Sequence, residues 1–249
     1  MRHAILAAAL LVPGLLRAQG VAERVRSAPD GWIRMSYAVR AGVCGNGTNI
    51  SMSDDDDSQW KSDCEHGPAR VSFLKQGTAI SQMKIRVGGS WRTDAPAATD
   101  LGTVPARSAS DYLLDLAASG SSAGDEAVLG AQLADSVVTW PRLLELARKR
   151  DLPRKTRQSA LFWVGQAAGD KVVKAMGEIA ADASEDREMR SAAVFGLSRR
   201  PPDEGVPALI KLSSTDRDPE VRRQAMFWLA QSKDPRALAW FEKVLAGAP

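Results

Sequence analysis

Histidine is nearly absent from this chain, with only His3 and His66 among 249 residues. A zinc site of the metalloprotease kind needs two histidines on one helix face, so that class is excluded. A Ser-His-Asp triad would have to use His66, which sits beside Cys64 and has no nucleophile-elbow sequence to serve. Charge of one sign is lacking too. Lys plus Arg number 33 against 30 Asp plus Glu, a net charge of +3. That is too small for a nucleic-acid-binding surface, and it excludes a dominant acidic disordered tail. Long apolar runs are missing as well. The stretch from Ala4 to Leu16 is 13 residues, broken by Pro13 and Gly14, and a membrane-spanning helix needs about 20. No catalytic set, metal-ligand spacing or cofactor-binding motif stands out, and the sequence reads as that of a non-enzyme without cofactors.

What is present begins with a leader. Arg2 and His3 precede the apolar run, and Ala18 offers a small residue before Gln19. Residues 1–18 have the order of a secretory signal peptide, which places the mature chain outside the cytoplasm, in the periplasm or the extracellular space. Loss of Arg2 and Arg17 leaves a charge of +1. In an oxidising compartment, two cysteines read as a disulfide, so Cys44 is expected to join Cys64. Closing a loop of about 20 residues stabilises by roughly 3 kcal/mol in the chain-entropy model. Inside that loop, Asp54 to Asp57 form an uninterrupted acidic run. It lacks the alternating spacing and glycine of a calcium loop and reads as a solvated segment. Asn46-Gly47-Thr48 and Asn49-Ile50-Ser51 match the N-glycosylation pattern, which matters only in a host with that pathway.

The rest divides by periodicity. From Trp32 to Arg40 the chain alternates, with Ile33, Met35, Tyr37 and Val39 on one face, which predicts a half-buried strand. Ala69, Val71 and Phe73 alternate likewise. After the turn at Gln76-Gly77-Thr78, residues 79–87 put Ala79, Ser81, Met83, Ile85 and Val87 on one face. These segments predict a small antiparallel sheet of about three strands within 19–94, stapled by the disulfide and partly covered by a short helix at 21–28. Residues 95–109 are rich in Ala, Thr, Pro, Gly and Ser and read as a linker. Residues 110–249 are helical in period.

That last part repeats. Leu113–Ala117, Leu143–Ala147, Met176–Ala180, Leu209–Ser213 and Phe241–Leu245 share one pattern, with starts 30, 33, 33 and 32 residues apart. Between them, Arg157–Val164 aligns with Arg190–Leu197 and Arg222–Leu229, while Val128–Asp135 is a degenerate copy. Asp218-Pro219 is a helix start, an N-cap acid followed by proline, and Asp186 marks another. A period near 33 with two helices per unit is the pattern of an α-solenoid. The run Val221-Arg222-Arg223-Gln224-Ala225 resembles the HEAT repeat family, with Met189-Arg190 and Thr156-Arg157 as looser copies. The resemblance covers roughly residues 110–249 and implies antiparallel helix pairs, about 4.5 of them, in a right-handed superhelix whose inner surface binds other proteins; with the small sheet before it, the chain reads as an α+β protein. The recurring Arg157, Arg190 and Arg222 are expected to pair with Asp side chains at the turns.

The function expected from these readings is an exported scaffold that binds a protein or peptide. A sensor whose sheet domain binds a ligand and a hydrolase with carboxylate catalysis are the other classes considered, and no residue pair singles out either. Helical-wheel geometry from Val221 puts Arg223 and Met226 away from the core, with Gln158 and Leu161, then Ser191 and Val194, at the same positions in the other copies. These six residues either line a groove for a peptide or pack between repeats.

Overall fold

The computed structural model describes residues 20–52, 64–91, 97–167 and 169–247. The leader at 1–18 and the Asp54–Asp57 run lie outside the described residues. Helix α1 (Val21–Ser27) buries Val21 and Val25, as the spacing of those two valines predicts. The main sheet is built from β1 (Gly31–Tyr37), β4 (Ala69–Gln76), β5 (Ala79–Val87) and β6 (Ala98–Thr103), in the order β5-β4-β1-β6. Two short strands, β2 (Cys44–Gly45) and β3 (Ile50–Ser51), pair beside it. Cys44 and Cys64 are disulfide-bonded, with Cα atoms 5.4 Å apart.

Three expectations for this region change. The residues 95–109, read as a linker, contain β6 and the first turn of α2 (Ala106–Ala118). A parallel edge strand needs main-chain groups more than bulky side chains, so a run of Ala, Thr and Gly suffices beside β1. Leu101 is buried there, and Asp100 is 2.8 Å from Arg34 across the pair. The sheet therefore has four strands and is mixed, because β1 and β6 run parallel while β1–β4 and β4–β5 are antiparallel. The inward face of β5 also changes phase. Met83 and Val87 point to the core, but Ile80 is buried and Ala79 exposed, because the register shifts opposite Leu74 and Lys75. One extra residue in a strand turns every side chain before it to the other face.

The remaining helices stack in pairs. They are α2 with α3 (Gly124–Leu133), α4 (Trp140–Arg148) with α5 (Arg154–Gly165), α6 (Asp170–Ala181) with α7 (Arg187–Ser198), and α8 (Pro202–Thr215) with α9 (Pro219–Ser232). A half unit, α10 (Pro235–Leu245), closes the described array. Second helices α3, α5, α7 and α9 pack on one another in sequence order. Asp218 caps α9 by accepting from the Glu220 N–H at 2.8 Å, and Asp234 caps α10 in the same way. The chain is thus an α+β protein whose helical part is a solenoid of about four and a half pairs.

The sheet does not stand apart from the solenoid. The buried side chains of sheet and helices form one continuous core. Phe73 packs on Tyr112 of α2 with ring centres 5.8 Å apart. The Tyr37 hydroxyl, buried under the sheet, donates to the Gly130 carbonyl of α3 at 2.6 Å. A Cβ at Gly130 would lie 2.9 Å from Leu113 and 3.2 Å from Met83, so glycine is what lets α3 approach both neighbours. The end of a repeat array exposes a helix face that requires a cap. Here the sheet is that cap.

Candidate binding surface

The repeated arginine explains how the second helices are held. Arg157 donates through Nε to the Ala147 carbonyl at the end of α4, and Arg190 does the same to Ala180 at the end of α6. Each thereby satisfies a free carbonyl at the negative end of the first helix in its own pair. The remaining nitrogens reach the turn of the next unit. Arg157 pairs with Glu185 and Asp186, and Arg190 with Asp216 and Asp218. Asp186 and Asp218 are the N-cap residues of α7 and α9. The Asp186 carboxylate serves Arg157 and makes no capping bond of its own, unlike Asp218. Burial is the largest single influence on Glu185 and raises it, but the hydrogen bonds from Arg157 and the Asp186 N–H, with the charges of Arg157 and Arg150, together hold its carboxyl below its ordinary value. The ladder ends at Arg222, which among the described residues meets the carbonyls of Asp216 and Arg217 and no carboxylate. Arg157 and Arg190 serve the scaffold, because the acids of their clusters are engaged by them.

With the ladder setting the stacking, the outward side of α5, α7 and α9 is fixed. Phe162, Phe195 and Phe227 occupy the same position in the three units and are 46%, 36% and 54% exposed. Trp163 and Trp228 are half-buried beside them. Phe195 lies 5.2 Å from Trp228 in the next unit, ring centre to ring centre, and Phe227 packs edge-on against the same tryptophan. Gly196 stands where its neighbours have tryptophan, and the end of the Met176 side chain fills the space a Cβ there would take. Between α7 and α9 the surface dips into a cleft of about 500 Å³ lined by Ser191, Phe195, Arg223, Gln224, Phe227 and Trp228. Its rim is polar and internally bonded. Gln224 Nε2 donates to the Ser191 hydroxyl at 2.9 Å and to Glu220 at 3.0 Å, and Arg223 also donates to Glu220. The hydrogen bonds from Arg223, then Gln224, lower the pKa of Glu220.

The six residues singled out by the helical wheel divide. Ser191 and Arg223 line the cleft. Gln158 and Met226 are half-buried. Leu161 and Val194 are fully buried at 0% exposure, so the apolar stripe Leu161–Val194–Met226 is not an open groove but mostly packing between units. The reason is that α5 and α7 each touch their own first helix and a second helix on either side. Their buried arc is wider than a wheel drawn for one contact allows. Met226 escapes because α9 is the last second helix described. The open apolar line sits one residue, or 100°, further on, at the phenylalanines. The recurrence of Phe162, Phe195 and Phe227 in the aligned segments carried that signal, though not which of two adjacent apolar positions faces out.

A larger cleft of about 930 Å³ lies between α6 and α8 on the first-helix side. Its Asp216 and Asp218 are engaged by Arg190, its Glu204 by Arg200 and its Glu178 by Arg148. No helix among the described residues is long and apolar enough to cross a membrane. No curated protein and no solved structure matches the chain. Residues 177–249, from within α6 to the end, match the HEAT repeats family. The matched segment, the latter part of α6 with α7 to α10, carries HEAT repeats.

Proposed function

We propose that the protein is an exported, non-catalytic scaffold that holds a polypeptide partner against the aromatic face of α5, α7 and α9. The observation that carries this reading is the repetition of an exposed phenylalanine at one position in three successive units, joined across units by Trp228. An exposed aromatic line with a polar, pre-bonded rim is the composition of a binding hot spot. The surrounding ion-pair ladder leaves that line pre-organised, which lowers the ordering cost of association. Export is supported by the leader-like order of residues 1–18 and by the Cys44–Cys64 bond, a pairing typical of oxidising compartments.

The test is the triple variant Phe162→Ser, Phe195→Ser, Phe227→Ser. Partners captured by the wild-type chain in its own compartment should be lost while the variant keeps its helical circular dichroism and a cooperative melt, because each ring is about half exposed and none is enclosed in the core. Undiminished capture by the folded variant would overturn the reading. Sequencing the N-terminus of the mature protein tests export, with Gln19 or a neighbour expected as the first residue.

A further inference from the structure

A third cavity, of about 400 Å³, opens where the sheet meets the solenoid. Arg40 and Gln132 line it, together with Thr139, Val138, Trp140 and Trp163. The backbone that carries Arg40 is fixed to the end of α3. The Arg40 N–H donates to the Leu133 carbonyl at 3.0 Å, and Val39 bridges to Ala134. The side chain is half-buried, and burial pulls its pKa down. Yet among the described residues no carboxylate and no carbonyl meets the Arg40 guanidinium. The fully buried arginines differ in this respect, since Arg157, Arg190 and Arg200 each have both kinds of partner. A partly desolvated cation without a counter-charge is the costly half of an ion pair.

The rest of the lining matches that cation. The Gln132 amide oxygen accepts from the Thr139 hydroxyl, which leaves the Gln132 N–H groups to donate into the cavity. Apolar side chains, Val138, Trp140 and Trp163 among them, make up most of the other walls together with the Gln166 amide, and Val138 is 73% exposed. Donors on one side and apolar rings on the other call for a ligand that carries a carboxylate and an apolar group only a few ångströms apart. The last residue of a polypeptide does so, because its side chain and its α-carboxylate share one Cα. An internal Asp or Glu carries its carboxylate in place of an apolar side chain and needs room for the chain to continue in both directions. Trp163 is shared with the aromatic line through its neighbour Phe162, 5.0 Å away ring to ring. The upstream residues of such a ligand would therefore run onto the phenylalanines.

We propose that this cavity binds the apolar C-terminus of a partner polypeptide, with its α-carboxylate on the Arg40 guanidinium and the Gln132 amide and its last side chain against Val138, Trp140 and Trp163. The proposal rests on the reading of this face as a polypeptide-binding surface and names the part of the partner recognised. A guanidinium takes a carboxylate through two parallel hydrogen bonds, stronger and more directional than a neutral contact.

The probe is the peptide N-acetyl-Ala-Leu-Leu-Phe with a free carboxylate, titrated calorimetrically against the mature chain beside the same peptide as its C-terminal amide. The amide should bind at least about tenfold more weakly, the scale of one charge-assisted pair. Arg40→Gln should reduce the free acid to the level of the amide and leave the amide unchanged, and Arg40→Lys should fall between, because an ammonium keeps the charge without the fork. Equal binding of acid and amide, absence of binding by both at millimolar concentration, or an Arg40→Gln variant that still discriminates would each overturn the proposal. An amidated peptide with an internal Asp that binds as tightly as the free acid would overturn the choice of a chain end. Binding that emerges only after Asp54–Asp57 are all changed to Asn would make the chain's own acids the occupant and also overturn it. Partner capture that survives Arg40→Gln but not the triple phenylalanine change would sink this inference alone and leave the scaffold reading standing.

Discussion

The solenoid and the sheet reach stability by opposite routes. Each helical unit is locally made. Its helices carry their own start signals, and its buried arginine reaches only as far as the neighbouring turn. The sheet depends on distant pairings, such as Gly31 with Lys75 and Trp32 with Ala98, and on the bond between Cys44 and Cys64. Lys75 shows the same dependence at a single residue, since its buried ammonium is satisfied by the Ala28 carbonyl at 3.0 Å and by Asp30 at 3.1 Å, more than forty positions earlier. Yet the two regions share one core through Tyr37, Gly130, Phe73 and Tyr112. The comparison teaches that the sheet is less a separate module than the first layer of the stack. It takes the place that another helix pair would otherwise fill.

Breaking the stack inside the array should have the largest effect. Leu161→Ser removes a fully buried side chain between units. It should cost the Leu→Ala range of about 2–5 kcal/mol plus the burial of an unpaired hydroxyl. Met226→Ser at the equivalent position of α9 should cost less than half as much. Equal losses by urea denaturation would contradict the wider buried arc of the central helices.

The next effect concerns the ladder. Arg157→Ala leaves Glu185, only 6% exposed, without its hydrogen-bonded counter-ion, with Arg150 at 3.9 Å as the remaining cation, and frees the Ala147 carbonyl. A loss of about 3–5 kcal/mol is expected, as for other buried pairs broken on one side. Arg157→Ala with Glu185→Gln should recover part of it. The same pairing has a pH signature. Glu185 has a folded pKa below its ordinary 4.5, so its contribution is complete above that value and declines as the pH falls through the lowered one. Acid unfolding of the wild type should therefore be steeper below pH 4.5 than that of the double variant.

Removing the disulfide tests the sheet as a cap. Replacing Cys44 and Cys64 by Ala should cost roughly 3 kcal/mol. Hydrogen exchange should show the loss in the sheet and in α2 and α3, fading toward α8 and α9, since repeat arrays couple chiefly through nearest neighbours. Exchange that changes in the sheet alone would show two independent bodies and contradict the shared core.

The smallest change is expected at the junction of α3 and α5. Glu126 has a buried Oε2 that no hydrogen-bond partner meets among the described residues. Burial, and then the neighbouring Asp125, raise its pKa, while Lys155 sits 2.6 Å from Asp125. An acid with a raised folded pKa favours folding below its ordinary 4.5 and loses that advantage as pH rises through the shifted value. Glu126→Gln should raise Tm at pH 7 by about 1–3 °C and leave it unchanged at pH 4. A fall at pH 7 would show that the carboxylate is needed.

Much of this was legible beforehand, for reasons that can be named. The helix pairs were visible because their apolar residues recur at a fixed spacing and their starts are marked by acids, Asp218-Pro219 above all. The Arg–Asp ladder followed from the same recurrence. Strand β6 was hidden because an edge strand of small residues has no alternation to read, and the shift in β5 because a bulge leaves no compositional trace. On the outward side of the second helices, the helical wheel falls one position away from the exposed phenylalanine line. A wheel drawn for one contact has no means of knowing how many neighbours a helix will have.

The order of residues alone therefore determined the repeat, its helix boundaries and the pairing of the only two cysteines, because each rests on local spacing or on a count that admits one answer. Tertiary structure decided which apolar residues remain outside. Burial is a property of neighbours, so Leu161 and Phe162, adjacent and both apolar, parted only when α3 and α7 closed on either side of α5. It also decided that Arg40, one of many arginines in the sequence, lies half-buried against a cavity where no acid among the described residues meets it.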